Sequence, residues 1–134
     1  DSKPAGLYSG ASAWLVQNTP AGSRVFQTDW DDFTRLFFYN THNTYLVGLD
    51  PTYLQLANPA LYDLWVDITK GKVADPSGVI ETEFGARYVL TDLNHKDFLR
   101  KAKNDPRLVE TYRDDEAVIF AITSPGGGAP NAAN

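Results

Sequence analysis

Apolar residues in this chain recur at helical spacing in some stretches and at strand spacing in others, with turn-forming residues at each change. Leu7, Ala11, Trp14 and Leu15 share one helical face, and Asn18, Thr19, Pro20, Ala21 and Gly22 supply a stop. Residues 24–28 read as a short strand followed by Asp29, and residues 31–39 return to helical spacing through Phe33, Leu36 and Phe37. A second strand over 45–49 runs into Asp50 and Pro51, where proline cannot extend a ladder. Asn58 before Pro59 is a helix start, and Leu61, Leu64, Trp65 and Ile68 line one face until Lys70 and Gly71. Asp75 before Pro76 repeats that start for a shorter helix through Val79, Ile80 and Phe84 to Gly85. A third strand is expected at 87–91 and a helix at 94–104 on Phe98, Leu99 and Ala102, ended by Asp105 and Pro106. Residues 107–112 and 116–122 read as a hairpin turning through Arg113, Asp114 and Asp115.

Strands separated by helices pair in parallel through right-handed crossovers. The pattern therefore predicts an α/β fold, a three-layer Rossmann-like sandwich of three parallel strands plus a C-terminal antiparallel hairpin, in strand order 2-1-3-4-5. Residues 1–123 are expected to form one such domain. From Ser124 to Asn134 the chain is Gly, Ala, Pro, Asn and Ser with nothing to bury, and a flexible tail is expected there.

Composition narrows the function classes. Charged residues make up 22% of 134, an ordinary globular share, and the formal charge of −5 with no Lys/Arg run argues against nucleic acid as a partner. Cysteine is absent, which excludes disulfides, thiolate metal sites and cysteine nucleophiles. Methionine is absent too, so Asp1 is not an initiator and the chain is expected to be a processed, trimmed or fragmentary product. No run approaches the roughly 20 apolar residues of a membrane helix, and no signal peptide is present.

Each expected parallel strand ends in aspartate, at Asp29, Asp50 and Asp92. In an open parallel sheet, ligands settle outside the carboxyl ends of the strands, so these carboxylates are candidates for one shared site. They could take sugar hydroxyls, Mg²⁺ or Ca²⁺. Capping of the following helix by each Asp is the preferred reading, because it explains each one without a ligand. Trp30, His42, Asn43 and Tyr53 lie in loops of the same edge and complete the candidate ligand-binding set. Packing outweighs sugar stacking for Trp30. His42 and His95 lack zinc-ligand spacing and read as loop or cap residues. There is no nucleophile elbow and no phosphate-binding loop, and Gly6 and Gly10 do not form a dinucleotide fingerprint. No catalytic residue, metal or cofactor is assigned.

Three sets of residues carry a resemblance. The first runs Ala13-Trp14-Leu15, Asn18-Thr19-Pro20 and Gly22-Ser23-Arg24-Val25-Phe26, then Asp29-Trp30-Asp31-Asp32-Phe33 and Leu36-Phe37-Phe38-Tyr39-Asn40. The others are Tyr45-Leu46-Val47-Gly48-Leu49-Asp50-Pro51 and Phe84-Gly85-Ala86-Arg87-Tyr88-Val89-Leu90. Over residues 7–122 the chain resembles the soluble C-terminal extracytoplasmic domain of polytopic bacterial membrane glycosyltransferases of the GT-C type and of related uncharacterised membrane proteins. The resemblance implies a periplasmic or cell-surface location, attachment to a membrane domain or membrane protein complex, and a non-catalytic accessory role in acceptor binding or support of the membrane-embedded active site. Carbohydrate or a lipid-linked sugar is the ligand it suggests. In that family the acid or base of sugar transfer lies on the first outside loop of the membrane part, so the resemblance transfers no catalytic residue to this chain. Two other readings stand beside it: an independent interaction subunit docking on a membrane complex, and a small metal-dependent enzyme using the strand-end aspartates.

Overall fold

A five-stranded mixed sheet organises the residues that the computed structural model describes, 9–28, 44–45, 56 and 58–124. The chain contributes α1 (Ser9–Asn18), β1 (Arg24–Gln27), β2 (Thr44–Tyr45), α2 (Pro59–Thr69), α3 (Pro76–Phe84), β3 (Tyr88–Asp92), α4 (Lys96–Lys103), β4 (Leu108–Arg113) and β5 (Ala117–Ile122). β1 pairs in parallel with β2 on one side and with β3 on the other, in the register Val25 to Tyr88 and Phe26 to Val89. β5 runs antiparallel to both β3 and β4. The helix expected at 31–39, most of the strand expected at 45–49, and the tail from 125 onward lie outside the described residues.

The strand order is 2-1-3-5-4, which corrects the expected 2-1-3-4-5. The reason is written in the two hairpin strands. β5 is Ala-Val-Ile-Phe-Ala-Ile and is buried at every position, as a strand covered on both faces must be. β4 mixes Leu108 with Glu110 and Arg113 and is partly exposed, which suits the rim of a sheet.

Alternate residues of each strand feed two cores. Phe26, Val89, Val118 and Phe120 face α2, α3 and α4, where Ile68, Ile80, Phe84 and Phe98 complete one cluster. Val25, Leu90, Ala117 and Ile119 face α1, where Ala11 and Leu15 complete the other. Period-two alternation explains the division until β4, where the register slips between Glu110 and Tyr112. The extra residue, Thr111, moves Tyr112 off the face occupied by Leu108 and onto the α1 face. There its ring lies 6.3 Å from Trp14. Close packing of α1 also needs Gly10, because a Cβ at that position would overlap the Tyr112 hydroxyl and come within 2.8 Å of Asp114 Oδ2.

The starts of α2 and α3 differ, one capped locally and the other by a distant residue. Asn58 caps α2 as its sequence predicts, with Oδ1 accepting from Leu61 N at 3.1 Å. Asp75 makes no side-chain cap bond at α3, contrary to expectation. Its place is taken by Asp105, a buried residue whose carboxylate accepts from Ser77 N at 2.8 Å and Ser77 Oγ at 2.9 Å. No described helix is long and apolar enough to cross a membrane.

Candidate functional site

The strand order 2-1-3 places a topological switch point between β1 and β3, where an open sheet parts its loops and leaves a crevice at the carboxyl ends. Thr28, just past β1, donates from Oγ1 to Thr91 Oγ1 at 2.8 Å, and Thr28 N donates to the Leu90 carbonyl. These bonds draw the ends of the two strands together beside Asp92. Trp65 of α2 reaches the same edge and donates from Nε1 to the Gln27 carbonyl at 2.8 Å.

Asp92 is the one member of the expected ligand-binding set that the structure describes; Asp29, Trp30, His42, Asn43, Asp50 and Tyr53 lie outside the described residues. Its Oδ1 accepts from Asn94 N at 2.8 Å, His95 N at 3.0 Å and His95 Nδ1 at 2.9 Å. Burial pushes the carboxyl pKa up, but the hydrogen bond and charge of His95 and the two N–H groups outweigh it and hold Asp92 below the usual carboxylate range. An ionised acceptor requires the proton on His95 Nδ1, so the pair fixes the histidine tautomer as well as its ring.

This is capping chemistry, as preferred from the sequence, but with a shifted target. The carboxylate satisfies Asn94 and His95 in the approach to α4, and the helix therefore begins at Lys96 rather than at 94. His95 occupies the N-cap position without a side-chain cap bond, its ring being engaged with Asp92. Among the described residues no group of three or more His, Cys, Asp or Glu side chains is placed to hold a metal ion.

A second concavity was not anticipated. A groove of about 630 Å³ lies between α4 and the hairpin, over Leu99, Leu108 and Phe120. Lys96, Arg100, Lys103 and Arg113 line it against one carboxylate, Glu110. α4 carries four basic residues in eight, and folding sets three of them beside Arg113 of β4 on a chain of net charge −5. The overlooked signal was the spacing of Lys96, Arg100 and Lys103, which puts all three on one helical face with Leu99. Arg100 pairs with Asp97 and Arg113 with Glu110, whereas Lys96 and Lys103 form no ion pair with any described residue.

No protein-family model, curated protein or solved structure matches this chain.

Proposed function

We propose that this chain is a non-catalytic accessory domain on the extracytoplasmic side of a membrane glycosyltransferase-like protein, supporting acceptor binding or the membrane-embedded active site. The observation that favours a supporting role is the state of Asp92. A strand-end carboxylate available for chemistry would keep its charge for a substrate or metal, whereas this one spends its Oδ1 on three donors of its own loop. The resemblance over residues 7–122 supports the membrane attachment and the location. Helices against both faces of the sheet favour the finer reading of the fold as a three-layer Rossmann-like sandwich.

The reading frame upstream of Asp1 provides the test. Multiple membrane spans before residue 1 are the expected result. A lone signal sequence or single anchor would replace this reading with the independent interaction subunit.

A further inference from the structure

We infer that the groove between α4 and β4 binds an extended acidic polypeptide segment, laid along the free edge of β4 with its carboxylates against Lys96, Arg100, Lys103 and Arg113. The inference rests on the groove alone and stands apart from the membrane-protein reading.

Charge complementarity is the first argument. Arg100 and Arg113 are matched by Asp97 and Glu110, whereas Lys96 and Lys103 form no ion pair with any described residue, so the groove keeps a net positive charge in a chain whose total charge is −5 and attracts an anion against the background field. Spacing is the second. Residues 96 to 103 advance about 10 Å along a helix, and neighbouring cations on that face stand about 5–6 Å apart. A single small anion cannot meet such a row. Alternate side chains of an extended peptide recur every ~6.7 Å and can.

The third argument is main-chain geometry. β4 ends the strand order, so one of its edges has no strand beside it among the described residues. Thr123 N donates to the Arg107 carbonyl, and alternation from that bonded pair turns the backbone groups of Leu108 and Glu110 outward. The Leu108 N–H is taken by the Asp105 carbonyl, which leaves the Leu108 carbonyl and both Glu110 groups for an added strand. The bulge at Thr111 then ends the stretch that can pair. A helix beside an open strand edge is a recurring seat for strand addition, with backbone bonds supplying affinity and side-chain contacts supplying selectivity. The floor of Leu99, Leu108 and Phe120 gives the intervening apolar side chains a surface.

The test uses the whole chain and a short peptide alternating aspartate and valine, followed by amide chemical shifts. Expected are shifts confined to α4 and the Leu108–Arg113 strand, weakening by added salt, and no binding of the matching lysine–valine peptide. Lys96→Glu with Lys103→Glu should weaken binding by at least about tenfold at unchanged melting temperature, and backbone N-methylation of the peptide should abolish it. If the charge reversals disturb the fold, Lys96→Gln with Lys103→Gln provides the same comparison. Binding indifferent to these lysines, or shifts centred elsewhere, overturns the inference. So does a lysine-dependent response to phosphatidylglycerol vesicles, to a single-stranded oligonucleotide or to inorganic phosphate without one to the peptide.

Discussion

Two turns side by side at one end of the sheet, where Asp92 of β3 pairs with Ala117 of β5, solve the same problem with the same residue. Asp92 ends the parallel strand β3, and Asp114 follows β4 in the antiparallel hairpin; each offers Oδ1 to the backbone N–H groups two and three residues ahead. They differ in the third partner. Asp92 adds the imidazole of His95 on the same oxygen, within its own loop. Asp114 uses its other oxygen for the Tyr112 hydroxyl, at 2.6 Å, and Tyr112 is itself held by Trp14 of α1. The first turn is therefore closed within its own loop, whereas the second also depends on a helix about a hundred residues away. Identical local chemistry has become loop geometry in one place and helix docking in the other.

The largest expected effect that separates them is Asp92→Ala. It leaves two N–H groups and a histidine without their acceptor at a carboxylate only 8% exposed, and should cost about 2–3 kcal/mol in denaturant unfolding. A cost under about 0.5 kcal/mol would mean that water replaces the carboxylate without loss. Asp114→Ala, at a more exposed turn, should cost about 1–2 kcal/mol, and Gly10→Ala should partly reproduce it by pushing Tyr112 away from Asp114. Additive losses in the double variant would contradict that coupling.

The turns also diverge in pH. Asp92 and Asp114 both have lowered pKa values in the folded state, so their stabilisation is complete above the unfolded carboxyl value and declines as pH falls through the lower folded one. Tyr112 moves the other way: its hydrogen bond to Asp114, with burial and the nearby acidic charges, raises it from 10.0 to about 12. Its contribution is present below pH 10 and is lost as pH rises toward about 12. Melting temperature measured across both limbs should show that Tyr112→Phe flattens the alkaline limb and, by removing a donor to Asp114, weakens that residue's share of the acid limb while leaving the Asp92 share in place. An alkaline limb unchanged in Tyr112→Phe would remove the tyrosine from the account. The smallest effect concerns divalent cations. With Asp92 committed to its loop, Mg²⁺ or Ca²⁺ should leave the melting temperature unchanged, and clear stabilisation abolished by Asp92→Asn would revive the metal-site reading.

Much of this arrangement was legible in the residues. Asn58 before Pro59 announced a capped helix, the apolar run of β5 announced a strand, and aspartate at the end of β3 announced a carboxylate that binds N–H groups ahead of it, though in the loop before α4 rather than in the helix. Such signals are readable because each depends on partners a few residues away, within the reach of one side chain. The position of β5 inside the sheet, between β3 and β4, was also written in its uninterrupted apolar run, and the expected order overlooked it.

What the sequence by itself determined, then, is the type and approximate extent of the elements among the described residues, and those turns whose partners lie close in the chain. Tertiary structure decided the rest. It decided that Asp105 rather than Asp75 caps α3, that a one-residue bulge delivers Tyr112 to Trp14, and that Arg113 of β4 joins the cations of α4 in one groove. The physical reason is that these contacts join residues distant in the chain. Their geometry depends on register and on which face each element buries, and packing settles both for the molecule as a whole.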